Sequence, residues 1–144
     1  MQTDDVDVLD TSFLIREVRT LNPRPPVSLR MEDSLDAALS ILKQNNIGCV
    51  VITDADGKLR GIFTERDVML KVIHNEVNMR QSIAGLMTAD PECVKVDAQI
   101  VEVLQMMSAG GYRHMPIIDA NGIASGIVSV KDIVDYITKV LTPG

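Results

Sequence analysis

Apolar positions follow two periods along the chain, and their alternation predicts its elements. Leu35, Ala38, Leu39 and Leu42 fall at i, i+3, i+4 and i+7, as do Ile100, Val103, Leu104 and Met107, which predicts two amphipathic helices. A short extended piece precedes each, Val27 to Met31 and Cys93 to Val96. An apolar, β-branched run follows each, Val50-Val51-Ile52 and Pro116-Ile117-Ile118. Asp54-Ala-Asp-Gly57 and Asp119-Ala-Asn-Gly122 then supply turn chemistry, with glycine available for positive φ. A second strand, Leu59 to Phe63 or Ala124 to Val128, runs into a closing helix. The order β-α-β-β-α occurs twice.

A shift of 65 residues aligns the two copies without a gap. Pro26, Leu39, Ile52, Asp54, Ala55, Gly57, Gly61, Ile62 and Asp67 fall on Pro91, Leu104, Ile117, Asp119, Ala120, Gly122, Gly126, Ile127 and Asp132. Upstream, Val18 and Leu21 fall on Ile83 and Leu86. A unit of roughly 60 residues is near the lower limit for an independent core. The copies are therefore expected to pack sheet against sheet as one pseudo-two-fold module of mixed α/β (α+β) class. Residues 1–21 read as an N-terminal arm, with Phe13, Leu14, Val18 and Leu21 on a short amphipathic helix ended by Asn22-Pro-Arg-Pro-Pro26. Residues 22–75 form the first repeat, and residues 76–144 a polar linker and the second.

Composition narrows the class. Apolar residues at 46% and charged residues at 24% suit a folded domain, and with no Trp, two Phe and two Tyr the interior must be aliphatic and Met-rich. No apolar run approaches the roughly 20 residues of a membrane span. The acidic start, Met1-Gln-Thr-Asp-Asp-Val-Asp, is unlike a secretory leader, so a cytoplasmic location is expected. Cys49 and Cys93 make neither a disulfide framework nor a zinc site. A net charge of −6 argues against nucleic acid and anionic membranes as partners. It leaves a small anion open, because a few local cations dominate a cleft.

The segment with chemistry is Gly61-Ile-Phe-Thr64-Glu-Arg-Asp67-Val and its partner Gly126-Ile-Val-Ser129-Val-Lys-Asp132-Ile. Thr64 and Ser129 stand where helices start, so free N–H groups and the positive dipole end suit a phosphate. Arg66 and Lys131 occupy equivalent places in that first turn, and Arg113-His114 adds further cations. A carboxylate accepts from two adjacent hydroxyls, which suits Asp67 and Asp132 to a sugar diol. The same Ser/Thr-x-x-Asp spacing is also a helix capping box, the better reading on spacing alone. Cys49, in an apolar strand, reads as a buried small hydrophobe. The residues offer a binding site and no nucleophile–base pair, metal cluster or acid–base pair, so an enzyme is not expected.

The duplicated unit ending in Gly-hydrophobic-x-Thr/Ser-x-x-Asp resembles a tandem cystathionine β-synthase (CBS) domain pair, over about residues 12 to 142. The resemblance implies a module with two clefts between the repeats, binding AMP, ADP, ATP or S-adenosylmethionine, with no obligatory cofactor. In that family the Asp holds the ribose diol and the Thr/Ser approaches the phosphate. The implied set here is Thr64, Arg66, Asp67, Arg113, His114, Ser129, Lys131 and Asp132, with no catalytic or metal-binding residue. It further implies a homodimer, through a closing helix carrying Ile133, Val134, Ile137, Val140 and Leu141, and regulation exerted by dimerisation or on a protein target. A scaffold module without a ligand is the alternative. Family geometry sets each Asp opposite the other repeat's loop. The Thr64–Asp67 cleft is therefore expected to contain Arg113 and His114 and to be the stronger. The Ser129–Asp132 cleft would face Gly48 and Cys49, which align with those two cations.

Overall fold

Local chemistry sets the ends of each element in the computed structural model, which describes residues 11–142. The acidic N-terminal stretch and the first part of the expected arm lie outside the described residues. Strand β1 (Ser28–Arg30) leads to α1 (Leu35–Asn45), and β2 (Cys49–Thr53) and β3 (Leu59–Thr64) make a hairpin. A short helix α2 (Glu65–Asp67) continues into a wider turn over Val68–Val72. Then come β4 (Thr88–Ala89), α3 (Ile100–Gly110), the hairpin β5 (His114–Ile118) and β6 (Ala124–Ser129), and α4 (Val130–Leu141). Ser34 caps α1 by accepting from the Ala37 N–H, and Asn46 ends that helix in the left-handed region. The two hairpin turns are built alike. Asp54 Oδ1 accepts from the N–H groups of Asp56 and Lys58, and Asp119 Oδ1 from those of Asn121 and Ile123. Gly57 and Gly122 follow at φ 81° and 80°, where a side chain would be strained.

The first sheet has the order β1-β2-β3-β4, with β1 parallel to β2 and the other pairs antiparallel; β5 and β6 form the second. Single bridges extend the second sheet in the same pattern, Val94 beside Ile117 and Arg24 beside Ile127. Strand β2 is buried at every residue because both of its faces are covered. Val50 and Ile52 pack with Leu35, Ala38 and Phe63 in one core, while Cys49 and Val51 meet Ile62 and Ile127 between the sheets. The hairpin turns also bond each other reciprocally. Leu59 N–H donates to the Gly122 carbonyl and Ala124 N–H to the Gly57 carbonyl, at 3.1 and 3.2 Å. These bonds are related by the 65-residue shift, so the sequence duplication is a pseudo-two-fold in space.

The segment preceding each repeat packs on the other one. β4, just ahead of the second repeat, pairs with β3 of the first, and residues 23–24 run along β6 of the second. Ile83 and Leu86 accordingly complete the first core, and Val18 completes the second. Glycine permits the close crossing. A Cβ on Gly61 would lie 3.0 Å from the Thr88 carbonyl oxygen, and one on Gly126 would lie 3.2 Å from Pro23 Cβ. Where one amphipathic helix was expected near Phe13, the chain instead makes two tight 3₁₀ turns, Ser12–Ile15 and Val18–Leu21. The reason is a competing set of partners. Extended Glu17 bridges Gln99, and the N–H groups of Val18 and Arg19 donate to the carbonyls of Ala98 and Val96.

Candidate functional site

Both Thr/Ser-x-x-Asp segments are capping boxes in the structure. Thr64 N–H donates to Asp67 Oδ2 at 2.9 Å while Asp67 N–H donates to Thr64 Oγ1 at 3.3 Å. Ser129 and Asp132 repeat the exchange at 2.8 and 3.2 Å. Capping uses one oxygen of each carboxylate, so it does not by itself exclude a ligand on the other. The two copies differ in what becomes of that second oxygen.

Asp132 Oδ2 also receives Arg24 Nη2 at 3.3 Å, and no hydrogen bond among the described residues reaches Oδ1. Its side chain keeps 30% of its exposure. Asp67 is closed in: Oδ1 accepts from Thr88 Oγ1 at 2.9 Å and pairs with Lys71 Nζ at 3.0 Å, and its side chain is 7% exposed. The positions matching Thr88 and Lys71 in the second copy are Pro23 and Tyr136, which explains why Asp132 has no such cover.

A cleft of about 680 Å³ opens beside Ser129, within the range of roughly 300–1,000 Å³ usual for small-molecule sites. Four basic side chains line it: Arg24, from the segment ahead of β1; Arg113 and His114, at the start of β5; and Lys131, in the first turn of α4. Pro25, Val27, Ile47 and Val134 form apolar wall, and among the described residues Glu65 is the acidic one on it. Burial pushes the His114 imidazole below its ordinary pKa; Glu65 and Asp132 act to raise it, and Arg24 and Arg113 add to the depression.

This arrangement differs from one part of the expected pairing of loops and clefts: Gly48 and Cys49 line the cavity beside Ser129, as expected, but Arg113 and His114 line it as well. Arg113 and His114 thus share a cavity with Ser129 and Lys131; Thr64, Arg66, Asp67 and Asp132 do not line it, Asp132 standing next to Lys131 and reaching the cavity's edge through Arg24. The physical reason is the hairpin: His114 is the cross-strand partner of Ser129, so the two loops sit on the same end of one sheet. Gly48, the counterpart of Arg113, has the His114 ring 3.3 Å from where its Cβ would be, so the imidazole occupies the space a side chain would need. Arg66 turns away and donates to the Gly111 carbonyl at 2.6 Å. Arg24 was not singled out in the sequence; its signal was an isolated cation between two prolines. A second cavity, of about 270 Å³, lies at the hairpin turns between Lys58, Arg60, Asp90 and Cys93. Among the described residues no cluster of His, Cys, Asp or Glu could hold a metal ion, and no helix is long and apolar enough to cross a membrane.

With this geometry in hand, the chain matches a family model for the CBS domain twice, over residues 15–74 and 83–139. An uncharacterized 17.7 kDa protein of Acidianus ambivalens is 33% identical over 101 residues; the match covers 70% of this chain and 60% of that protein, so the chain spans less than two thirds of this relative. The structure of a CBS-domain containing protein from Agrobacterium tumefaciens is 32% identical with a TM-score of 0.74, covering 83% of this chain and 98% of that one. The CBS domain pair of protein MJ0100, solved in complex with 5′-methylthioadenosine and S-adenosyl-L-methionine, is 27% identical with a TM-score of 0.79, covering 88% and 98%.

Proposed function

The chain belongs to the CBS domain family, and on that premise we propose that it is a regulatory, non-catalytic module holding an adenosine-bearing anion in the Ser129–Asp132 cleft. The observation that carries this reading is the convergence of Arg24, Arg113, His114 and Lys131 on one cavity, in a chain whose net charge is −6. Cations gathered against the overall charge focus an attractive field on an anion. The ligands named for the MJ0100 pair support adenosine as the ligand class. The basic lining favours a phosphate over a neutral thioether or a sulfonium, and so AMP, ADP or ATP over S-adenosylmethionine.

Each group then has a role. Asp132 accepts from the ribose diol once Arg24 swings from the carboxylate toward the phosphate. Ser129 and Lys131, at the start of α4, face the phosphate, where the helix dipole adds to their attraction. Pro25, Val27 and Ile47 cover the base. Output passes through association. Met69, Leu70 and Ile73 after α2, and Val134, Val140 and Leu141 on α4, are exposed apolar side chains on the two closing helices. A homodimer on these helices is the proposed assembly. The same exposed faces favour a second reading, a scaffold module without a ligand.

A thermal-shift panel separates the two. AMP, ADP and ATP at millimolar concentration are expected to raise Tm, by the RT ln(1 + [L]/Kd) that a native-state ligand contributes. No shift with any of them, at concentrations where the protein stays folded, contradicts the nucleotide reading and favours the scaffold.

A further inference from the structure

The carboxylate of Asp67 is saturated from inside the protein. Oδ2 takes the Thr64 N–H at 2.9 Å and the Thr64 hydroxyl at 3.2 Å; Oδ1 takes the Thr88 hydroxyl and the Lys71 ammonium. Lys71 Nζ is itself fixed, donating also to the carbonyls of Leu86 and Met87 at 3.0 and 3.2 Å. It thereby ties the closing helix of the first repeat to the segment that crosses onto that repeat's sheet. In the second repeat the equivalent residues cannot do this. Pro23 has no side-chain donor, and Tyr136 packs against the second core and edge-on to Phe13 at 6.2 Å.

A sugar diol brings two O–H donors to a carboxylate, and Thr88 and Lys71 already bring two donors to this one. A ligand entering here must displace both and leave the Lys71 ammonium without its counter-charge in a half-buried place, an unfavourable exchange. We propose that Lys71 and Thr88 are an internal plug that stands in for the sugar hydroxyls at Asp67, so that each chain takes one adenosine ligand, at Asp132. For the class of ligand this rests on the function proposed above; for the closure of the first cleft it rests on the Asp67 contacts alone.

The test is the stoichiometry of AMP binding by calorimetry, with S-adenosylmethionine titrated in parallel. The parent chain is expected to bind one AMP, to lose it with Asp132→Ala, and to keep it with Asp67→Asn. The Lys71→Ala/Thr88→Ala variant is expected to bind two, and to return to one when Asp67→Ala is added. Two sites in the parent, or a site lost with Asp67→Asn, overturns the plug. So does a folded double variant that binds no more than the parent, including the case where neither binds. A parent that binds nothing beside a double variant that binds one contradicts the reading of the Asp132 cleft and upholds the plug. Should the double variant fail to fold, the pair Asp67→Asn and Asp132→Ala in the parent still decides.

Discussion

Arg24 Nη2 lies 3.3 Å from Asp132 Oδ2, although 108 residues separate them in the chain. The segment ahead of the first repeat thus delivers a guanidinium to the carboxylate of the second. Both partners are partly exposed, so the pair is expected to contribute at most about 1 kcal/mol to stability. Under the proposed function its weight falls on binding. Arg24→Ala should leave urea unfolding nearly unchanged while weakening AMP by more than it weakens adenosine, which presents no phosphate. Equal losses for the two compounds would place Arg24 away from the phosphate.

The crossing of each leading segment onto the other repeat gives a stability test with a location. Ile83 is fully buried in the first core and Val18 in the second. Ile83→Ala is expected to cost about 2–5 kcal/mol, from lost transfer energy and the cavity left behind. In native-state hydrogen exchange, Ile83→Ala should loosen amides of α1 and Val18→Ala those of α3. The opposite assignment, each change loosening the helix nearer in sequence, would contradict the crossed packing.

His114 sets a pH dependence whose sign follows from burial. Its pKa is lowered in the folded protein, so the unfolded chain binds the proton more readily. The associated stability is present above the ordinary histidine value near 6.5 and is lost as pH falls below it. The parent should therefore lose more stability than His114→Gln between pH 7.5 and pH 5.5. A phosphate beside the ring favours the imidazolium, so in the same interval AMP binding to the parent should take up more protons than binding to His114→Gln, a difference that cancels the phosphate's own titration at about pH 6. Calorimetry in two buffers of different ionisation enthalpy reads that uptake directly.

The Cys49 thiol is expected to be inert in the native state. Burial, with the Asp67 charge beside it, pushes Cys49 up to about 12, and burial raises Cys93 as well. At pH 8 Cys49 should react with a thiol reagent far more slowly than in urea, since the thiolate is the nucleophile, and Cys93, partly exposed at the second cavity, should be the faster of the two. Fast stoichiometric labelling of Cys49 in the folded chain would contradict its burial.

Much of the fold was legible because the duplication wrote each element twice. The α1 and α3 stripes, the Asp-x-x-Gly turns and the Thr64 and Ser129 helix starts all stand where the pattern puts them. The contacts between repeats were not legible. An alignment pairs Gly48 with Arg113 and Thr88 with Pro23 as equivalents, but equivalence does not say which cleft a residue faces. The match of Val18 and Leu21 to Ile83 and Leu86 did carry the information that the segment ahead of each repeat belongs to the folded unit. That it folds onto the opposite repeat depends on the bridges at Arg24 and Glu17, which leave no periodic trace. Lys71 reaching back to Asp67 is an ordinary i,i+4 pair in sequence, and only its burial and the addition of Thr88 make it a closed site.

The most direct measurement is AMP binding by isothermal titration to the parent and to Asp132→Ala, each well below its melting temperature. If Asp132 holds the ribose through a charge-assisted hydrogen bond, the substitution should cost about 1.5–3 kcal/mol per bond lost, a weakening of tenfold or more. The folded variant should otherwise differ by the loss of a helix cap, about 1 kcal/mol of stability. Unchanged AMP affinity in a folded Asp132→Ala protein would mean that Asp132 only caps α4, and would contradict the assignment of the ligand to this cleft.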